Sequence, residues 1–310
     1  MKNNTSEIHR SVSVIIPNWN GVYLMKKHLQ HVIDAAPNAE IIVTDDMSTD
    51  GSVEYLKKYF PSVVVIKRKV RGGFAANVNT GVAAARGDII ILINTDVEPE
   101  KDFLKPLLLR FADQQVFAVG CLEKSQEKGK IVLRGRGLAH WEKGYFIHAR
   151  GEIDSTETAW VSGGSGAFRK TMWDKLGGMD TLYSPFYWED IDLSYRARKA
   201  GWKILFEPKS VVHHYHEEGK IKSVYTTTDV KRIVYRNQFI FIWKNLTDKK
   251  QLLFHALYTP VRIIQAMLDG DYLMLQGFCL AIQKIKAILT CRYLQRRSYS
   301  MTDRDLDLWA

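Results

Sequence analysis

The strongest constraint on this chain is the run Ile89-Ile90-Ile91-Leu92-Ile93, five aliphatic residues with no polar break. It is followed at once by Asn94-Thr95-Asp96-Val97-Glu98-Pro99. A strand so short and so uniformly apolar is buried on both faces, as in the middle of a parallel sheet. In open α/β sheets, ligands bind just beyond the carboxyl ends of such strands. A carboxylate placed there, Asp96, is a natural ligand for a hard divalent cation, which can in turn hold a diphosphate. The plainer use of Asp96 is to cap a helix expected to begin near Pro99.

The elements before this run follow one pattern. Residues 11–17 read as a first strand closed by Pro17, followed by the turn Asn18-Trp19-Asn20-Gly21 and an amphipathic helix to about Ala36. A second strand over 40–44 stops at Asp45-Asp46, and Ser48 to Ser52 supply helix N-caps ahead of 53–59. A third strand is expected over 63–67, and Gly72-Gly73-Phe74 opens a small-residue helix over 75–85. The order β-α-β-α-β-α-β, with right-handed crossovers, predicts an α/β fold with a doubly wound, mostly parallel sheet.

The common nucleotide signatures of such sheets are missing. PNWNG stands after the first strand where a dinucleotide fold has G-x-G-x-x-G, and there is no P-loop. The loops carry instead an aromatic, Trp19, and a carboxylate pair, Asp45 and Asp46. An aromatic face stacks on a flat base, and a carboxylate accepts hydrogen bonds from base N–H groups or ribose hydroxyls. With Asp96 these are the parts of a nucleotide-diphosphate site. Taken singly, Trp19 is equally a packing residue, and Asp45 and Asp46 are equally caps.

The segments SVIIPNWNG, EIIVTDDMSTDGS, RGGFAANVNTG and IIILINTDVEP resemble, in that order, the inverting glycosyltransferases of family 2, of the GT-A fold. The likeness spans about residues 11–216 and is closest to the bacterial, rhamnosyltransferase-like branch. It implies transfer of one sugar from a nucleoside-diphosphate donor to a hydroxyl of a glycan or lipid-linked acceptor, in cell-surface polysaccharide synthesis, assisted by Mn or Mg. It implies that Pro17, Trp19 and Asn20 line the nucleotide pocket, that Asp46 holds the base with Asp45 beside it, and that Arg71, Gly73 and Asn77 lie near the ribose and diphosphate. Asn94-Thr95-Asp96 stands where the family carries Asp-x-Asp. Asn94 brings no negative charge, so weaker cation affinity is expected.

Three further stretches bear on the chemistry. Gly163, Gly164 and Gly166 let a backbone approach a ligand closely, and the resemblance makes this the loop beneath donor sugar and acceptor. Tyr187-Trp188-Glu189-Asp190-Ile191-Asp192 opens a helix ending at Gly201. Acids in a first helical turn ordinarily complement the dipole, yet one beside two aromatics is also a candidate general base. The family's ED motif implies that Asp190 is the base and that Glu189 orients the acceptor or the base. Asp192 is expected to form a surface ion pair with Arg196 at i+4. Counting from Pro208, the family pattern P-x-x-x-x-x-H selects His214 as a metal ligand, with His213 and His216 expected at the surface. Between these stretches, a strand is expected at 117–121. Residues 134–137 and 141–150 read as a solvated hairpin or loop over the site.

Charge distinguishes the last third. Of a formal net +10, residues 220–310 hold 15 Lys+Arg against 7 Asp, a net of +8. Helices are expected over 225–243, 252–268 and 272–294. In the last of these Leu275, Phe278, Ile282, Ile285 and Leu289 recur at helix spacing beside Lys284, Lys286 and Arg292. Such a helix suits an anionic membrane surface, or it packs on the catalytic part or on a second copy in a homodimer. Nucleic acid is not an expected partner. Three scattered cysteines and the lack of an apolar leader suit a cytoplasmic protein, peripheral on the inner face of the cytoplasmic membrane. The expected organisation is a catalytic domain over 1–220, with nucleotide-binding part 11–100 and acceptor part 101–220, followed by a basic helical extension over 221–310. Residues 300–309 resemble a terminal motif of the same branch. The rival function is a non-catalytic nucleotide-sugar-binding or scaffold protein.

Overall fold

The computed structural model describes residues 10–127 and 129–306. Its first half alternates β1 (Val12–Asn18), α1 (Val22–Ala35), β2 (Glu40–Asp45), α2 (Ser52–Tyr59), β3 (Val64–Lys67), α3 (Phe74–Ala84) and β4 (Ile89–Ile93). All five residues of β4 are fully buried, each worth roughly 1.5–3 kcal/mol of transfer free energy. Their neighbours explain this: β1 runs parallel on one side and the strand Ser165–Arg169 runs antiparallel on the other. Residues Leu24, Met25, His28, Leu29 and Val32 of α1 recur at helical spacing and face the sheet.

The second half runs β5 (Val97–Pro99), α4 (Leu104–Arg110), β6 (Val116–Glu127), β7 (Lys130–Arg134), β8 (Gly137–Glu142), β9 (Tyr145–Arg150), β10 (Ser165–Arg169), α5 (Lys170–Leu176), α6 (Glu189–Lys199) and β11 (Lys203–His214). The main sheet has the order β3-β2-β1-β4-β10-β6-β11-β5, with β7 added along β6. No helix begins near Pro99. Val97–Pro99 instead pairs antiparallel with β11, His214 opposite Val97, as the outermost strand. Proline is tolerated there because an edge strand has no neighbour to receive its missing N–H.

The β8–β9 hairpin is not a solvated loop. Ala139, Trp141, Tyr145 and Phe146 are buried in a second core with α6 and the C-terminal helices. Those helices are α7 (Lys220–Val224), α8 (Thr227–Asn245), α9 (Lys249–Leu268), α10 (Leu273–Ile282) and α11 (Ile285–Gln295). The helix expected over 272–294 is broken at Gln283-Lys284, where α10 and the following segment meet at 67°. Among the described residues no single helix is long and apolar enough to cross a membrane. In α8, Phe239, Ile240, Phe241 and Ile242 are fully buried, because this helix is covered on one side by α6 and the hairpin and on the other by α10 and α11. In the tail, Asp303 is buried and accepts from Lys199 Nζ at 2.9 Å and Thr247 N at 2.7 Å. Residues 307–309 of the terminal motif lie outside the described residues.

Candidate active site

A cavity of about 310 Å³ opens at the carboxyl ends of β1 and β4, a size ordinary for a small-ligand site. Pro17, Trp19, Asp46, Arg71, Gly73 and Asn77 line it on one side. Asn94, Thr95, Asp96, Gly163 and Gly164 form its floor, and Glu189, Asp190, His214 and His216 close the far wall.

Asn20 and Asp45 are not in the lining. Asn20 Oδ1 accepts from Thr49 N at 2.7 Å, and Asp45, fully buried, accepts from Asn18 Nδ2 at 2.8 Å and Ser48 N at 2.9 Å. Both fasten the loop after β1 to the loop after β2, so they shape the pocket from behind. Asn77 does similar work, donating to the carbonyls of Asn18 and Thr44 at 3.1 and 3.0 Å. Asp46 accepts from Gly73 N at 2.9 Å and Arg68 Nε at 2.9 Å, and so folds the 71–73 loop inward. Gly73 has φ +80°, and a Cβ there would lie 2.6 Å from Ser184 Oγ and 2.8 Å from Pro185 O. The loop meets the Ser184-Pro185 segment at that point, and only glycine fits. At its tip the Arg71 guanidinium stacks 3.5 Å from the centre of the Trp19 ring.

The β5–β11 pairing builds the candidate cation corner. It sets His214 Nε2 3.6 Å from Asp96 Oδ1, while Nδ1 faces Glu123 Oε2 at 3.4 Å. Glu123 also accepts from Ser165 Oγ. Burial opposes charge on His214, but Asp96 and Glu123 outweigh it and lift its pKa to about 10. Burial likewise opposes charge on Glu123, and His214 and Ser165 overcome it, holding the carboxyl at about 2. Contrary to expectation, His216 is not a surface residue. It is half-buried, lines the cavity, and stacks 3.7 Å from the His214 ring. His213 points away to Glu100 at 3.2 Å. One ligand atom each from Glu123, His214 and His216 lie within 4.8 Å of one another. Two donors bound to one ion at about 2.1 Å are separated by roughly 3–3.5 Å, so the 3.6 Å between Asp96 and His214 is close to the spacing a divalent cation needs. Glu123 stands where a carboxylate orients a ligating imidazole. Nothing local in the sequence marks Glu123, which reaches this corner only because β6 lies beside β11.

The acidic pair sits on a strained turn. Tyr187 and Trp188 have φ of +70° and +77°, a region that costs non-glycine residues of order 1–3 kcal/mol. Packing enforces it: Trp188 lies against Phe146, His148 and Phe241, and Asn237 Nδ2 of α8 donates to the carbonyls of Tyr183, Phe186 and Tyr187 at 2.8–3.0 Å. The following Glu189 and Asp190 face the cavity. Asp190 accepts from Ile191 N at 2.8 Å and Gly163 N at 3.3 Å, while Glu189 Oε2 is buried with no partner. Burial, then the charge of Asp190, pushes Glu189 up to about 8. Burial also raises Asp190, against the backbone N–H groups that favour its charge. Asn94 is held by its N–H to Gly164 O at 2.9 Å, and a Cβ on Gly164 would come 2.6 Å from Asn94 Nδ2.

Asp192 makes the expected i+4 pair with Arg196, but in the interior and not at the surface. It is fully buried, bonded to Arg196 Nε at 2.7 Å, Lys244 Nζ at 2.8 Å, Asn245 Nδ2 at 2.7 Å and Tyr183 Oη at 2.8 Å. Two cations and two neutral donors make it the hinge pin between α6 and α8.

A mostly parallel sheet, a carboxylate corner after its central strand and a cleft closed by a buried acidic pair make this a GT-A fold. Solved structures agree: GalNAc-T7 with UDP, GalNAc and Mn2+ superposes with TM-score 0.65 over 95% of this chain and 59% of its own, at 19% identity. S. aureus TarS 1-349 with UDP-GlcNAc gives 0.58 over 96% and 89%, at 16% identity. The mannosyltransferase PcManGT from Pyrobaculum calidifontis with GDP-Man and Mn2+ gives 0.54 over 93% and 86%, also at 16%. Residues 13–177, more than half of the chain, match the model of glycosyl transferase family 2, and the chain belongs to that family. Among curated relatives, the pre-mycofactocin glycosyltransferase of Mycobacterium tuberculosis is 26% identical over 211 residues, 67% of this chain and 43% of its own. Polypeptide N-acetylgalactosaminyltransferase 3 of Taeniopygia guttata is 22% identical over 286 residues, 84% of this chain and 46% of its own. The chain thus spans less than half the length of these relatives.

Proposed function

We propose that this protein transfers a single sugar from a nucleoside-diphosphate sugar to a hydroxyl of a glycan or lipid-linked acceptor, with inversion at the anomeric carbon. The observation that carries this is the convergence on one cavity of Trp19, Asp96, His214 and the buried acids Glu189 and Asp190. Asp46, Trp19 and Arg71 would hold the nucleoside. Asp96 and His214, with His216 beside them, would hold a divalent cation, which when bound supplies positive charge to the diphosphate. Solved structures of similar fold contain Mn2+ together with UDP or GDP-Man, which supports a divalent cation here.

The acids divide the remaining work. Glu189, pushed up to about 8 by burial and then by the charge of Asp190, can hold a proton and donate a hydrogen bond to the acceptor. Asp190, stabilised in its charged form by two backbone N–H groups, stays the better base. It takes the proton of the acceptor hydroxyl as that oxygen bonds to the anomeric carbon. The carbon–oxygen bond to the diphosphate breaks on the opposite face, and the electron pair leaves with the diphosphate. Intact candidates for base and cation ligands count against a non-catalytic binding protein. The setting we propose is cytoplasmic, in cell-surface polysaccharide assembly.

The test is a panel of UDP-, GDP- and dTDP-sugars with Mn²⁺ or Mg²⁺, following nucleoside-diphosphate release and the anomeric configuration of the product. One donor should be turned over with inversion. A panel with neither turnover nor a donor-induced thermal shift sinks the proposal, and a retained configuration sinks the in-line step.

A further inference from the structure

Helix α9 shows solvent a face that an amphipathic helix ordinarily hides. Leu253, Leu257, Val261, Ile264 and Leu268 recur at i, i+4, i+8, i+11 and i+15, and their exposures are 58, 59, 59, 58 and 77%. They form one stripe roughly 22 Å long at 1.5 Å per residue. The opposite face is already committed. Thr259 Oγ1 meets Tyr145 Oη at 2.9 Å, His255 Nε2 accepts from Trp243 Nε1 at 2.9 Å, and Ile263 is buried in the second core. Rotation of the helix therefore cannot bury the stripe, and no other described element covers it. Single exposed aliphatic residues are normal, but a contiguous row marks a contact surface.

The surroundings select the partner. From Gln251 to Leu268 the one Lys, Arg, Asp or Glu is Arg262, whose guanidinium lies over the Tyr145 ring at 4.0 Å. Cations flank one end of the stripe. Lys249 and Lys250 begin the helix, Lys250 Nζ is 5.6 Å from the Phe254 ring, and Lys143 Nζ of the hairpin is 5.5 Å from the Tyr258 ring. The acids at the helix ends are two: Asp248, which lies 3.4 Å from Arg304 Nε, and Asp269, which accepts from Gln265 Nε2. A second copy would bring another +8 third of the chain against the first. Anionic headgroups would instead neutralise this charge while acyl chains take up the stripe.

We propose that α9 is a membrane-surface helix that lies in the interface of an anionic bilayer, its aliphatic stripe down and its lysines at the phosphates. Sequence periodicity points to 272–294. The contact falls instead on α9, because Leu275 and Phe278 pack against the second core and the 67° bend after Ile282 breaks the 272–294 stripe, whereas the α9 stripe is continuous. The inference does not depend on sugar transfer, since vesicle binding is measured without donor.

The test is flotation of the full chain with phosphatidylcholine vesicles with and without phosphatidylglycerol. Binding should require phosphatidylglycerol and fade as salt rises from about 0.05 to about 0.5 M. The exposed pair Leu257→Glu/Val261→Glu should weaken binding at least ~10-fold at unchanged melting temperature. Lys249→Glu/Lys250→Glu should weaken it and flatten the salt dependence, while Leu109→Glu, on exposed α4, should leave it intact. Three results would each overturn the proposal: no binding of the unaltered chain to phosphatidylglycerol vesicles, equal binding of both α9 variants, or a solution dimer that Leu257→Glu/Val261→Glu converts to monomer.

Discussion

Replacing Asp192 by Asn should damage the fold and spare the chemistry, the reverse of what its neighbour two residues earlier should do. The side chain touches Arg196, Lys244, Asn245 and Tyr183 and sees no solvent. Two routes give the magnitude. Its carboxyl, held at about 2 by Lys244 and Arg196 against the cost of burial, sits below the usual 3.8. At 1.36 kcal/mol per pKa unit that is about 2 kcal/mol of stability. Removing one partner of a buried ion pair costs ~3–5 kcal/mol, because the other charge is left uncompensated. The lower end of the second figure is the better guide, since a neutral amide at this position would leave Arg196 with no carboxylate while Lys244 keeps Asp180 at 2.5 Å, and we expect about 3 kcal/mol. At roughly 2 °C per kcal/mol for a chain of this size, the melting temperature should fall by about 6 °C. Because the folded pKa is depressed, the stabilisation is present above pH 3.8 and is lost as pH falls towards about 2. The gap between the two proteins should therefore close in acid. Urea denaturation at pH 7 and at pH 3 measures both. A loss below about 0.5 kcal/mol at pH 7 would mean that the network carries no more than an exposed pair.

Three other outcomes follow from the same geometry. Asp190→Asn should lower transfer by ~10²–10⁴-fold and abolish the acid limb of the pH–rate profile, with donor binding and melting temperature little changed; normal turnover would move the base elsewhere. Glu189→Gln should raise stability above pH 8, because a carboxyl lifted to about 8 makes the native protein lose stability as pH climbs from 4.5 to about 8; parallel stability curves across that window would refute the burial argument. Asp96→Ala should abolish cation-dependent donor turnover, and Glu123→Gln should weaken Mn²⁺ affinity ~10–100-fold by loosening His214. Direct Mn²⁺ titration separates the two, and an unchanged affinity in Glu123→Gln would leave that residue with a packing role alone.

Much of this was legible from local pattern. The aliphatic run at β4, the alternation of short strands with helices and the polar residues at strand ends follow from nearest-neighbour chemistry, and all lie within a residue or two of expectation. The loop residues Trp19, Asp46, Gly73, Asn94 and Asp96 meet in one cavity because a parallel sheet brings every strand's carboxyl end to one edge. Features set by long-range pairing were not legible. Val97–Pro99 carries no helix or strand signal of its own and becomes a strand only because β11 lies beside it. That same pairing turns His214 into the site and His213 out of it, while His216 re-enters through the segment that follows. Glu123 lies on a strand whose neighbour is set by the order of the whole sheet. The i+4 spacing of Asp192 and Arg196 is the same in a surface pair and a buried one, and only α8, far along the chain, decides which. In α9 the periodicity shows that a stripe exists, but not which side of the helix the protein covers. Sequence alone determined what each short segment prefers and which side chains carry chemistry. Tertiary structure decided which of those side chains share a dielectric, because burial and charge pairing depend on partners far away in the chain.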